Sequence, residues 1–185
     1  MKKTLSKILV AVAIVALTAG TSMAQNGRFS VGAELGLPMG DFKDANGIGI
    51  GGTLRYEYPI SDALAIGLGV GYITFAAKDI TITIPFFGDT TVKGSSFNVI
   101  PIQAFAKYYF GGEAQDGFYG MINLGMSNGK SSGEGAEGST KLSYAPELGY
   151  HLTNIDLGLR YQMISTEGST TSWIGVRLAY VFGEK

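Results

Sequence analysis

The 185-residue chain contains no cysteine, which excludes disulfides, thiolate metal sites and a lipid-modified cysteine behind an export signal. Histidine occurs once, as His151, so no histidine cluster is available to hold a metal. Charge is scarce at 16% of residues, against roughly 25–35% on a soluble surface. Beyond residues 8–19 no apolar run approaches the ~20 residues that a spanning helix needs. What the chain does have is 28 glycines, ten tyrosines and ten phenylalanines. Low charge and many aromatics without a spanning helix leave strands as the way to cross a membrane.

The first 24 residues read as a cleaved signal peptide. Lys2, Lys3 and Lys7 precede the apolar run Ile8–Ala19, and Ser22-Met23-Ala24 supplies the small residues that a signal peptidase reads. Cleavage before Gln25 leaves residues 25–185 as one domain. That domain carries 15 acidic residues and eleven basic ones, so it offers no basic patch suited to nucleic acid.

Within the domain, apolar residues alternate with small or polar ones in eight segments: Arg28–Leu37, Ile48–Tyr58, Leu64–Phe75, Phe97–Phe110, Phe118–Met126, Lys141–His151, Ile155–Met163 and Trp173–Phe182. Period-two alternation over about ten residues is the signature of a tilted membrane strand. Pro146 cannot donate to a ladder, so a bulge or local break is expected there. Connections 38–46, 77–96, 128–140 and 165–171 are long or polar, and 59–63, 111–117 and 152–154 are mostly shorter. Short periplasmic turns and longer external loops have this asymmetry. The fold class expected is all-β: an eight-stranded antiparallel up-and-down transmembrane barrel.

A soluble lipocalin-like barrel would show the same alternation with its apolar face turned inward. The glycines decide between the two. Gly32, Gly36, Gly49, Gly51, Gly67, Gly69, Gly71, Gly125, Gly149, Gly158 and Gly175 fall on the non-apolar face. Solvent-facing glycines would weaken every strand, whereas inside a narrow barrel small residues make room for large ones. The same face carries Arg55, Lys107, Arg160 and Arg177 with Glu34, Glu57, Glu147 and Asp156, a balanced set expected to pair off inside the lumen. His151 is expected to join them, hydrogen-bonded to Glu147 four residues earlier on that face. Tyr56, Tyr58, Tyr108, Phe110, Tyr150, Tyr180 and Phe182 sit near one set of strand ends, where an aromatic girdle belongs.

The signal peptide, the eight strands, Pro101 through Lys107-Tyr-Tyr-Phe, Pro146-Glu-Leu-Gly-Tyr and the Tyr180-Val-Phe ending resemble the outer-membrane protein β-barrel domain family, a PorT-like or OmpA-like group. The resemblance covers essentially the whole mature chain and implies location in the outer membrane of a Gram-negative cell. It also implies that the last strand is a signal for the barrel assembly machinery, carried by Gly175, Leu178, Tyr180 and Phe182. The trailing Gly-Glu-Lys departs from the rule that the aromatic is terminal.

Other motifs carry less. Gly47, Gly49 and Gly52 match GxGxxG, but a strand follows rather than the helix that a phosphate would meet. His151 lies at a periplasmic turn with Thr153 two residues on, which does not make a lipid hydrolase pair, so no catalytic, metal or cofactor residue is assigned. Phe86 and Phe87, in the longest loop, could grip a surface protein or a small hydrophobic ligand, or rest on the membrane interface. The expected function is a non-enzymatic, monomeric outer-membrane barrel with a plugged lumen and external loops open to surface partners. A narrow channel for small or hydrophobic solutes and a lipid-modifying enzyme are the alternatives.

Overall fold

A computed structural model describes residues 27–78, 80–84, 88–92, 94–111, 116–133, 135–166 and 169–183 of the protein. Eight strands close into a barrel: β1 (Arg28–Met39), β2 (Asn46–Pro59), β3 (Leu64–Ala77), β6 (Phe97–Tyr109), β7 (Gly117–Ser131), β8 (Ser139–Leu152), β9 (Ile155–Thr166) and β10 (Ser169–Phe182). Each pairs antiparallel with its sequence neighbours in the barrel, and β1 closes on β10. A short helix, α1 (Phe42–Ala45), interrupts the connection from β1 to β2. β4 (Ile80–Ile84) and β5 (Gly88–Val92) form a separate two-stranded sheet within the β3–β6 connection.

The register fixes the geometry. Following the pairing once around, Met39 faces Ser172, which faces Met163, then Tyr144, Leu124, Ala104, Leu68, Tyr56 and finally Phe29. The sheet therefore closes ten residues lower on β1 than it began. On eight strands that shear tilts each strand by about 40° and leaves an interior just wide enough for side chains to fill.

The barrel is apolar on the outside. Leu68, Ile50 and Leu148 are each more than 60% exposed, and Ile102, Leu124, Leu159 and Leu178 continue the band around the wall. No described helix is long and apolar enough to cross a membrane. The turn end of the barrel carries the aromatic ring pairs Tyr108–Phe110, Phe118–Tyr150 and Tyr180–Phe182, with centroids 4.7–5.7 Å apart.

The structure adds detail to the sequence pattern. The strands run on past the apolar alternation, so β7 reaches Ser131 and β10 begins at Ser169. Beyond the hydrocarbon, ladder hydrogen bonds persist while neither face needs to be apolar. Pro146 gives the expected local break, without a bulge: the β8–β9 pairing skips Ala145 and Pro146, and the register on either side is unchanged. Pro101 leaves the same kind of gap between β3 and β6. Residues 1–26, with the expected signal peptide, and Phe86 and Phe87 lie outside the described residues.

Candidate functional site

Alternation sends every second side chain inward, and the inward set is where the chain keeps its charge. Glu34, Arg55, Glu57, Lys107, Glu147, His151, Asp156, Arg160 and Arg177 are all buried, none more than 9% exposed. Arg55 holds Glu147 in a two-pronged pair, Nη1 to Oε1 at 2.8 Å and Nη2 to Oε2 at 2.7 Å. Arg160 lies 2.6 Å from Glu34. Arg177 spans β10, β9, β2 and β1: it donates to Asp156 at 2.9 Å, Thr53 Oγ1 at 2.7 Å and Ser30 Oγ at 2.8 Å. Lys107 bridges Asp156 at 2.9 Å and Glu57 at 3.1 Å. Charge-assisted bonds of this kind are the strong ones, and here they link strands across the lumen.

Aromatic hydroxyls complete the network. Tyr109 donates to Glu57 at 2.8 Å, and Tyr119 donates to Asp156 at 3.0 Å. The Lys107 ammonium sits 3.9 Å from the Tyr119 ring centroid and 4.9 Å from that of Tyr109. Arg28, not assigned to the network from sequence, pairs with Glu57 and donates to Tyr109 Oη at 2.9 Å. Its parity with Ser30 and Glu34 was the available signal. Tyr109 and Tyr119 share the parity of Lys107 and Asn123, a signal obscured because aromatics also build the outer girdle.

The expected Glu147–His151 partners go elsewhere. Glu147 is taken by Arg55, and His151 lies 3.4 Å from Asp116 and 3.5 Å from Arg28. Among the described residues no cluster of three or more acidic or imidazole groups is arranged to hold a metal.

Glycine makes the crowding possible. A Cβ on Gly158 would lie 2.5 Å from Glu147 Oε1, and one on Gly175 would lie 2.8 Å from Glu34 Oε1. Gly175, placed in the expected assembly signal, therefore faces the lumen, whereas Leu178 and Tyr180 face outward. The voids left inside are small. One bounded by Arg28, Glu57, Lys107 and Arg177, and one bounded by Arg55, Gln103, Asn123 and Arg160, each measure about 10 Å³. That is room for about one water.

Toward the loop end the inward residues change character. Ile73, Phe75, Val99, Ile164 and Trp173 form a buried apolar cluster, with Phe42 and Phe97 packed against it. Trp173 has the inward parity, but nothing in the sequence separates an apolar storey of the lumen from a charged one. The register does, by setting these residues at one level.

The sequence pattern described as the Outer membrane protein beta-barrel domain matches residues 9–182. No curated protein sequence matches the chain. Among solved structures, the N-terminal β-barrel domain of Pseudomonas aeruginosa OprF is similar at a TM-score of 0.55 and 14% identity, covering 86% of this chain and 100% of that one. The Yersinia pestis outer membrane protein Ail, in a phospholipid bilayer nanodisc, gives 0.53 and 13%, covering 85% and 99%. Neisserial surface protein A gives 0.51 and 17%, covering 85% and 95%. At these identities the likeness is one of fold.

Proposed function

From the premise that this chain belongs to the outer membrane protein beta-barrel domain family and resides in the outer membrane, we propose that it is a non-enzymatic, monomeric barrel whose lumen is plugged. The observation that carries this reading is the continuous network Arg28–Glu57–Lys107–Asp156–Arg177 across the lumen, beside voids of about 10 Å³. A hydrated ion needs far more room than one water occupies. To open a path, several buried ion pairs would have to separate together, each leaving uncompensated charge. The measurement is conductance of the refolded mature chain in a planar bilayer: a silent membrane is expected, and stable stepwise currents would overturn the plug.

The non-enzymatic reading is supported by the placement of His151, which is 1% exposed and lies against Asp116 and Arg28 within the turn-end mouth. The signal peptide over 1–24 and the C-terminal assembly signal at Gly175, Leu178, Tyr180 and Phe182 belong to the same proposal. They place both termini and the short turns in the periplasm and the long loops outside. Binding of a surface partner by those loops is favoured by one feature. The β4–β5 ribbon pairs with no barrel strand among the described residues, so both its backbone edges are open to another strand.

A further inference from the structure

The loop-end storey of the lumen is built unlike a plain plug. Among the described residues, the Phe42 ring packs over it, delivered by α1, in which no residue is fully buried. That ring stands edge-on to Phe75, with centroids 4.9 Å apart at 77°, and to Phe97 at 5.6 Å and 74°, and it lies 6.4 Å from Trp173. The segment bearing it is held lightly. It enters through Gly40, at φ +56°, starts without a side-chain cap, and leaves through the register shift between Asn46 and Gly49. Among the described residues, its hydrogen bonds to the barrel come from Lys78, which donates from Nζ to Lys43 O at 2.6 Å and from its backbone N–H to Ala45 O at 3.1 Å, and from Asn46, which donates to Phe42 O at 3.2 Å.

Below the cover, two polar groups go unmet among the described residues. Trp173 is fully buried and its Nε1–H finds no acceptor. Gln162, its register partner on β9, is also fully buried, and its Oε1 finds no donor while its amide nitrogen reaches Met163 O at 3.4 Å. Leaving a donor and an acceptor stranded on two register-paired residues costs stability, and leucine would cap the lumen better. A donor and an acceptor beneath an aromatic well do match a hydroxyl or amide on a small ring. Such a group accepts from Trp173 Nε1 and donates to Gln162 Oε1.

We infer that the loop end of the barrel is a binding site for a small aromatic molecule bearing a hydroxyl or amide group, with the Phe42 ring occupying the ligand's aromatic position in this structure. The charged storey beneath closes the floor, so the site receives a ligand from the loop side and holds it. Whether that lower storey conducts does not bear on the site.

Trp173 is the sole tryptophan, so intrinsic fluorescence of the full barrel in detergent micelles reports from the site itself. With benzyl alcohol as probe, the wild type should give a saturable emission change. Phe42→Ala should bind about tenfold more tightly, because the internal competitor for the well is gone. Gln162→Leu should weaken benzyl alcohol about fivefold and leave toluene unchanged, as loss of one hydrogen bond requires. A non-saturating response of equal slope in wild type and Phe42→Ala would be detergent partitioning and would overturn the site. Equal loss of benzyl alcohol and toluene in Gln162→Leu would overturn the polar contact. Far-UV circular dichroism verifies each barrel, and Phe42 stands outside the strand ladder, so its variant tests the site even if Gln162→Leu does not fold.

Discussion

Replacing Arg55 with leucine removes one half of the best-formed ion pair in the lumen and leaves the Glu147 carboxylate without its guanidinium. Glu147 is 3% exposed, so water does not replace what is lost. Removing one member of a buried pair costs about 3–5 kcal/mol. The remaining donors are Tyr119 Oη at 3.3 Å and Asn123 Nδ2 at 3.4 Å, too long to recover more than about 1 kcal/mol. Leucine also gives up the cation–π contact of the Arg55 guanidinium, whose central carbon lies 5.9 Å from the Phe105 ring centroid. The net expectation for Arg55→Leu is a loss of about 3 kcal/mol. Glu147→Leu should cost a similar amount by stranding Arg55. The double leucine variant should lie within about 1 kcal/mol of wild type, because an apolar pair of similar volume replaces a buried ion pair without an orphan charge. Denaturant unfolding of the barrel in lipid vesicles, followed by Trp173 fluorescence, gives all three values and their coupling. A single-variant loss below about 1 kcal/mol, or a double-variant loss equal to the sum of the singles, would refute a dry, paired lumen. Arg160→Leu, which strands Glu34, follows the same logic.

Gly158→Ala places a methyl 2.5 Å from Glu147 Oε1 and should destabilise the barrel by about 1–3 kcal/mol, whereas a Cβ on Gly111 meets nothing within 4 Å and Gly111→Ala should shift the same unfolding midpoint hardly at all. Leu124→Arg, at the middle of β7 and 57% exposed to the surroundings of the wall, should cost about 2–4 kcal/mol for unfolding from a bilayer, and a neutral effect would mean that this face does not meet lipid.

How much of this was legible follows from which signals have a period. Leu157, Leu159 and Tyr161 against Asp156, Gly158 and Arg160 alternate without error, so the strand and its two faces could be read directly. Glycines and charges sharing one parity told which face was inside, because neither belongs against lipid. Strand ends were harder to read. Asn128 through Ser131 pair with Ile100 through Phe97, yet they carry no alternation because they extend past the apolar band. The short helix α1 has too few residues for any helical period to show.

The sequence by itself determined that eight strands form, which face each presents, and that opposite charges share the interior, since those facts depend only on spacing and residue type. Partnership was decided by the tertiary structure. Arg55 and Glu147 are 92 positions apart, and Arg177 and Ser30 are 147 apart. Only the shear, set by eight consecutive registers together, brings each pair to the same height across the lumen. The same shear gathers Phe75, Phe97 and Trp173 under Phe42 at one end and the ion pairs at the other, because height along the axis is a property of the closed sheet and of no single strand.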